Sequence, residues 1–254
     1  MIFDSHFHLN HPDFLGEEET VWNAAREAGI REGMIIGYDL ESSRRAIDLV
    51  NRFPGLYASV GVSPHDILAA PSDHIEQLQV LSTHPKVVAI GECGLEYHYP
   101  AGPKDVQIHH FLLQSQLAHQ LGKTLVIHLR EADDDFLHIL DSSPPTSAIL
   151  HCFTATPRVM ERSIRQGYFI SFSGILTFKN AKDLHALLPQ VPDRNLLVET
   201  DAPYLAPIPY RGKRCEPKMI VETVRKIADL RGTDEKTIAR LTLENARRAF
   251  GISE

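Results

Sequence analysis

Two histidines stand two residues apart near the start of the chain, in the segment Asp4-Ser5-His6-Phe7-His8. Side chains on a β-strand alternate between its two faces, so this spacing places Asp4, His6 and His8 on one face. A lone histidine on a strand is most often an ordinary core or surface residue, whereas two imidazoles on one face can bind the same ion. The segment therefore predicts that His6 and His8 are metal ligands.

A carboxylate follows the apolar run 87–91. Alternation along this run places Glu92 on the same face as Val88 and Ile90, at the end of a strand. Removing a charged group from water is costly unless it is paired, so this carboxylate requires a cation. Because a carboxylate has two oxygens, Glu92 can bridge two metal ions. A solvated loop residue is the alternative reading for this position.

Three more apolar runs end in, or are followed by, residues of the types that bind metals. His128 and His151 end two consecutive runs, and Asp201 follows a third run, on the same face as Glu199. Histidines at two consecutive strand ends are difficult to explain by core packing alone. Asp201 could bind metal, orient an attacking water as a base, or do both, with Glu199 as a supporting group or a further ligand.

These residues provide enough donors for two divalent cations that share Glu92. One predicted site consists of His6, His8, Glu92 and Asp201. The other predicted site consists of Glu92, His128 and His151, with water completing it. The nitrogen-rich donor set suits Zn²⁺ or Mn²⁺, and Mg²⁺ is also compatible with a working enzyme. Two such ions would attract a phosphate although the chain carries a net charge of -7.

The elements that must position these residues follow a regular alternation along the chain. Short apolar runs rich in Val and Ile alternate with segments of helical spacing, which is typical of βα units around a parallel sheet. The predicted strands are Ile2–His6, Gly33–Tyr38, Leu56–Gly61, Val87–Gly91, Thr124–His128, Ser147–His151, Tyr168–Ser171 and Leu196–Glu199. The clearest predicted helices are Glu17–Ala28, Glu41–Phe53, Asp73–Thr83, Asp105–Leu121, Pro217–Leu230 and Asp234–Phe250.

Eight βα units in 254 residues predict an α/β fold, a (β/α)₈ TIM barrel forming a single domain over residues 1–254. The carboxyl ends of its strands share one rim, which would bring the six predicted ligands together. An open doubly wound sheet is the alternative. That fold usually has a glycine-rich turn after its first strand when it binds nucleotides, whereas histidines occupy that place here.

Composition narrows the class of protein. With 43% hydrophobic and 23% charged residues, the chain is typical of a globular protein and unlike a disordered one. Its 33 acidic and 26 basic residues exclude a positive field over the whole surface. Three cysteines favour a reducing cytoplasm. No apolar stretch approaches the ~18 residues of a membrane helix, so we expect no membrane contact. We also expect no signal peptide and no obligate protein partner.

The motifs resemble those of the TatD family of metal-dependent hydrolases, in the amidohydrolase-like superfamily of TIM barrels. The similar blocks lie in order along nearly the whole chain, at residues 4–8, 61–65, 89–95, 126–130, 151–154, 171–174, 177–181, 199–207 and 211–214. Any one block would be weak, but the ordered set is specific. In two places the chain departs from many relatives, with Glu96 in place of aspartate and Cys215 in place of asparagine.

The resemblance implies two or more divalent cations and hydrolysis of phosphodiester bonds in DNA, often from a 3′ end. It assigns metal binding to His6, His8, Glu92, His128, His151 and Asp201. It also places His65 at the mouth of the site, where this residue would contact a phosphate or help to protonate it. With Asp201 activating the water and Glu92 between the cations, the expected catalytic residues are Asp201, Glu92 and His65. The expected substrate is DNA that is single-stranded or has a free 3′ end.

Basic residues near the predicted strand ends could hold flanking phosphates. They are Arg130, Lys179, Arg211, Lys213 and Arg214. Each could equally belong to an ordinary solvated loop. Phe153, Phe172 and Tyr204 could stack on bases, although aromatic residues near strand ends more often pack in the core.

Two other functions remain open from the sequence. The same barrel and metal site could hydrolyse small esters, lactones or amides, or deacylate aminoacyl-tRNA. A metal-binding module without turnover is the remaining class.

Overall fold

Eight parallel strands form a barrel in the computed structural model, which describes residues 1–253. Each strand pairs with the next along the chain, in the order β1 to β8. The strands are Ile2–Phe7 (β1), Ile30–Ile36 (β2), Leu56–Val60 (β3), Val87–Glu96 (β4), Thr124–Arg130 (β5), Ala148–Leu150 (β6), Phe169–Phe172 (β7) and Leu196–Val198 (β8). The predicted α/β barrel is thus confirmed.

Helices follow the strands and surround the barrel. They are Glu18–Glu27 (α1), Leu40–Arg52 (α2), His74–Leu81 (α3), Lys104–Leu121 (α4), Asp133–Ser142 (α5), Pro157–Arg165 (α6), Lys182–Leu187 (α7), Ile220–Arg231 (α8) and Glu235–Phe250 (α9). The helix predicted from Pro217 begins as a short 3₁₀ turn, Pro217–Met219, before α8. Between residues 1 and 253, none of the helices combines the length and the hydropathy of a membrane-spanning segment.

Local sequence signals explain where the helices begin and end. The Asp39 carboxylate accepts a hydrogen bond from the backbone N–H of Ser42, and the Ser42 hydroxyl oxygen accepts one from the backbone N–H of Asp39, which forms a capping box before α2. Gly122 ends α4 in the left-handed conformation, with φ of 62°. The helix predicted over Asp105–Leu121 therefore ends at the predicted residue.

One end of the barrel is closed by packing. Phe3, Ala89 and Val126, from three different strands, belong to one buried cluster in the barrel interior. Residues of α9 join the same cluster, and the Phe250 ring stacks on Phe3 with centroids 5.9 Å apart. Because Phe3 lies at the beginning of β1, α9 covers the amino-terminal end of the barrel. The opposite rim, at the carboxyl ends of the strands, is left for a site.

The seam between β8 and β1 is closed by backbone hydrogen bonds at that rim. The Asp201 N–H donates to the carbonyl of His6 at 2.9 Å, and the His8 N–H donates to the carbonyl of Ala202 at 2.7 Å. These bonds fix the end of β1 against the segment that follows β8. Three predicted ligands are therefore held in register by the main chain.

Asp4 forms hydrogen bonds across the same seam, and its side chain does not lie with those of the two histidines. Its carboxylate accepts hydrogen bonds from the Thr200 backbone N–H at 3.0 Å and from the Thr200 hydroxyl at 2.6 Å. The expected shared face of Asp4, His6 and His8 is wrong, because β1 is not a regular strand. Asp4 pairs with Gly33 and Phe7 pairs with Ile35, so three steps along β1 match two steps along β2. The extra residue forms a bulge in β1.

A second bulge lies in β4. Ile90 pairs with Leu125 and Cys93 pairs with Ile127, so three steps on β4 match two on β5. Ala89 lies in the interior cluster, whereas Ile90 packs in the cluster toward the helices. Strict alternation would send Glu92 outward with Ile90, and the expectation that these two share a face is wrong. The bulge turns Glu92 inward, as bulges beside active sites commonly do.

Candidate metal centre

Four predicted ligand atoms from β1, β4 and the end of β8 surround one point at the open rim. His6 Nε2 lies 3.3 Å from His8 Nε2, 3.4 Å from Glu92 Oε2 and 3.6 Å from Asp201 Oδ1. His8 Nε2 lies 3.8 Å from Glu92 Oε2 and 3.4 Å from Asp201 Oδ1. Ligands bound at the Zn–N distance in a tetrahedron are separated by about 3.3 Å, so these spacings fit a single cation.

The other oxygen of Glu92 belongs to a second group. Glu92 Oε1 lies 3.0 Å from His128 Nδ1 and 3.5 Å from His151 Nε2, and the two imidazole nitrogens are 3.2 Å apart. Glu92 therefore contacts one group through each oxygen. The three donors of this second group leave a coordination position for water or substrate, as catalytic metal sites do.

The donor chemistry of both groups fits divalent cations. The structure gathers four imidazoles and two carboxylates at a buried rim, where the exposed fraction of each of His6, His8, Glu92, His151 and Asp201 is below 9%. Imidazole nitrogens together with carboxylate oxygens suit Zn²⁺ and Mn²⁺. The grouping is the one predicted from the sequence, and the assignment of metal binding to it stays a prediction.

Electrostatics keeps the central carboxylate ionised. Burial alone would raise the pKa of Glu92, but His151, His128 and His6 hold that pKa well below its usual range. Burial, together with the neighbouring His151, lowers the pKa of His6 to about 3. An ionised carboxylate beside a neutral imidazole is the protonation state that metal binding requires.

The other three ligand imidazoles of the rim, those of His8, His128 and His151, carry raised pKa values. Burial opposes the charged form of His8, yet the Asp201 and Glu92 carboxylates raise its pKa. Burial likewise opposes the charged form of His151, and Glu92 and Glu199 raise its pKa well above the usual range. The carboxylates that raise these pKa values would also stabilise a cation bound by the same rings.

Polar groups behind the ligands orient the imidazole rings. His8 Nδ1 lies 3.1 Å from the carbonyl oxygen of Ile36, and His151 Nδ1 lies 3.3 Å from Glu199 Oε1. Glu199 Oε1 also accepts a hydrogen bond from the Cys152 N–H at 2.7 Å. Such partners fix the tautomer that directs the opposite nitrogen to a metal. Of the two roles left open for Glu199, this geometry favours the supporting one.

Glu96 holds a position that sequence reasoning missed. Its Oε2 lies 3.0 Å from His128 Nε2 and 3.7 Å from His65 Nε2. Its Oε1 accepts hydrogen bonds from the backbone N–H groups of His98 at 2.7 Å and Tyr99 at 2.9 Å. Hydrophobicity gave no signal for this position, because β4 runs on to Glu96, five residues beyond its predicted end.

The ligands form the floor of an open cleft of about 1930 Å³. Arg130 and Arg211 line this cleft, and the Arg211 guanidinium lies over the Phe178 ring, 4.5 Å from its centroid. Lys179 and Lys213 are exposed outside its lining. Arg214 lies elsewhere, because it pairs with Glu17 at 2.8 Å.

The three aromatic candidates are placed differently. Phe153 and Phe172 are buried and contact each other, with ring centroids 6.2 Å apart. Tyr204 is half exposed at the cleft, and its ring approaches His8 edge-on at 6.1 Å. A base could reach Tyr204 but neither phenylalanine.

Comparison with known proteins places these features in a family. The family described as TatD related DNase matches residues 3–251. An uncharacterised metal-dependent hydrolase, YabD of Bacillus subtilis, is 36% identical and is aligned over 100% of both chains. A 3′-5′ ssDNA/RNA exonuclease, TatD of Citrobacter rodentium, is 34% identical over 99% of this chain and 98% of its own.

A solved structure agrees with the sequence relatives. The crystal structure of YJJV, a TatD homologue from Escherichia coli K12, superposes with a TM-score of 0.92 at 27% identity, and covers 99% of this chain and 98% of its own. The match extends over the whole barrel, including every strand that contributes a predicted ligand. The chain therefore belongs to the TatD family of metal-dependent hydrolases.

Proposed function

We propose that this protein is a deoxyribonuclease that removes nucleotides from the 3′ end of single-stranded DNA, using two divalent cations. The observation that carries the proposal is the pair of ligand groups joined by the two oxygens of Glu92, at the floor of an open cleft. The named exonuclease activity of the Citrobacter relative supports a nucleic-acid substrate.

Asp201 is the proposed base. Two divalent cations, when bound, would neutralise charge on the scissile phosphate and lower the pKa of a water. The Asp201 carboxylate is mostly buried and lines the cleft, so it can orient that water and accept its proton. Glu92 and the histidines around it would hold the cations.

His65 is the proposed acid or phosphate contact at the mouth of the cleft. Its side chain is 42% exposed and its Nε2 lies 3.7 Å from Glu96 Oε2. A ring in this position can approach the leaving 3′ oxygen from the solvent side of the ligands.

The charges of the cleft support a single strand over a duplex. Arg130 and Arg211 offer phosphate contacts, and the exposed Lys179 and Lys213 extend the basic region beyond the lining. The cleft is also lined by acidic residues at the start of α5, including Asp133 and Asp134, which would repel the phosphate backbone of a second strand.

We place this activity in the cytoplasm, consistent with three free cysteines, and expect no obligate protein partner.

The test is hydrolysis of 3′-labelled single-stranded DNA by metal-depleted protein, with Mg²⁺, Mn²⁺ and Zn²⁺ added back in turn. We expect release of mononucleotides only after metal is restored. Asp201→Asn should lower kcat by about 10²–10⁴-fold, because the amide cannot accept the proton. Asp134→Asn, a change of the same kind on the exposed cleft wall, should keep kcat near that of the unmodified chain.

Two results would refute this function. One is near-normal turnover of DNA by Asp201→Asn or Glu92→Ala. The other is metal-restored protein that hydrolyses a small ester or an aminoacyl-tRNA and leaves DNA intact.

A further inference from the structure

Three donor atoms converge beside the two ligand groups at a point that neither group uses. They are His65 Nε2, Glu96 Oε2 and His128 Nε2, and all lie within 4.8 Å of one another. Glu96 Oε2 is 3.0 Å from His128 Nε2 and 3.7 Å from His65 Nε2. These spacings are close to those of the two groups around Glu92.

The carboxylate at this point is fixed and oriented. Glu96 is 2% exposed, and two backbone N–H groups hold its Oε1. The Gln107 side chain bonds both the N–H and the carbonyl of Glu96, at 2.8 and 3.0 Å. Oε2 therefore points at the two imidazoles, and Glu96 cannot turn away without breaking several hydrogen bonds.

The point is open to solvent. The side chain of His65 is 42% exposed, and that of His128 is 19% exposed. All three residues line the cleft. An ion bound there would keep coordination positions free for water or for a phosphate oxygen.

We propose that His65, Glu96 and His128 form a third divalent-cation site that prefers Zn²⁺ and similar borderline metals. Two imidazole nitrogens and one carboxylate oxygen are a poor set for Mg²⁺ and a good one for Zn²⁺. The His128 ring is shared, with Nδ1 in the group around Glu92 and Nε2 in the new site. With both groups filled, a cation at His128 Nε2 would replace the proton there, so the ring would bind as an imidazolate and the proton would pass to water.

A cation held by His65, Glu96 and His128 would lie on the opposite side of the His128 ring from the group around Glu92. It would neutralise charge on an oxygen of a bound nucleotide other than those at the scissile bond. This part of the inference rests on the proposed nuclease function. The existence of the site does not, because it follows from the donor atoms alone.

The competing arrangement has only two ions. In it the His128 Nε2–H donates to Glu96, which then acts as a supporting carboxylate, and His65 has no metal contact. The two arrangements differ in the number of bound ions and in the effect of removing His65.

Counting bound zinc separates them. Metal-depleted protein is dialysed to equilibrium against excess free Zn²⁺ without substrate, and bound zinc per chain is measured by elemental analysis. We expect about three ions for the unmodified chain and about two for His65→Ala and for Glu96→Gln. His98→Ala, which removes an exposed histidine paired with Glu131 at the same rim, should still bind about three.

Equal zinc counts in the unmodified chain and His65→Ala would overturn the third site, as would a loss of zinc by His98→Ala equal to that by His65→Ala. Circular dichroism checks that each variant is folded, and the exposed position of His65 makes its replacement mild. The counts are made without DNA. A failed count therefore leaves the nuclease proposal intact, and a failed nuclease assay leaves the count intact.

Discussion

His151 shows how single residues set the properties of this site. Its Nε2 faces Glu92 Oε1 at 3.5 Å, and its Nδ1 faces Glu199 Oε1 at 3.3 Å. Glu199 is fully buried and is itself held by the Cys152 N–H. The ligand ring is therefore oriented by a second carboxylate that lies outside the proposed coordination shell, and the loss of this carboxylate should weaken metal binding.

Glu199→Gln tests that role. The amide keeps the size of the side chain but removes the charge that favours a strongly donating His151. We expect the affinity for Zn²⁺ in the group of Glu92, His128 and His151 to fall by about 10–100-fold, measured by competition with a chelator. Glu131→Gln at the exposed rim is the control. Unchanged zinc affinity in Glu199→Gln would show that Glu199 does not orient the ligand.

At the scale of elements, bulges in two strands turn predicted ligands toward the barrel interior, whereas regular alternation would turn them outward. The bulge in β4 turns Glu92 inward, and the bulge in β1 separates His6 from Asp4. By contrast, β5 and β6 are regular: Val126 and Ile149 lie in the interior cluster, so His128 and His151, two residues further on, lie at the rim.

This contrast explains what the sequence could and could not predict. His128 and His151 follow from alternation along apolar strands, and the fold follows from eight strand and helix repeats. Glu92 lies at the rim as predicted, but the predicted reason for its direction is wrong. A bulge depends on how a strand pairs with its neighbour, and no pattern within one strand reports that register. Glu96 was missed because it lies beyond the apolar part of β4, where hydrophobicity no longer marks the strand.

Gly91 allows the backbone conformation that forms the bulge in β4. Gly91 has φ of +121°, and a Cβ added there would lie 2.5 Å from the carbonyl oxygen of Val126. We expect Gly91→Ala to lower the free energy of unfolding by about 3 kcal/mol or more, measured in urea, and to weaken zinc binding because Glu92 is displaced.

Gly122→Ala is the matched control for this substitution. Gly122 has φ of +62° and no neighbouring atom within 4 Å of an added Cβ, so its cost should be about 1–2 kcal/mol without loss of zinc binding. Equal costs for the two variants would show that the close contact at Gly91 does not determine the strand geometry.

For the whole molecule, the net charge of -7 must be reconciled with a polyanionic substrate. The barrel concentrates its predicted cations at one rim, beside Arg130 and Arg211, so attraction is confined to one cleft. Binding should therefore be weaker and less sensitive to salt than that of a protein with a broad basic surface.

Arg211→Ala tests this confined attraction. Loss of one phosphate contact should lower the affinity for single-stranded DNA and reduce the slope of log K against log salt by about 0.7. The measurement uses a fluorescent oligonucleotide with Asp201→Asn protein, so that the DNA is not degraded. Arg214→Ala, which removes an arginine already paired with Glu17, should keep the slope. Identical slopes for both variants would place the DNA elsewhere.

The proposed chemistry depends most on Glu92 joining two cations. The most direct measurement is anomalous diffraction from crystals grown with enough Zn²⁺ to fill both positions. We predict two peaks, one on each side of the Glu92 carboxylate and about 3.5–4 Å apart, with His6 and His8 at one and His128 and His151 at the other. A peak on only one side of Glu92, or none in contact with it, would contradict this claim, whatever is found at the separate site of His65 and Glu96.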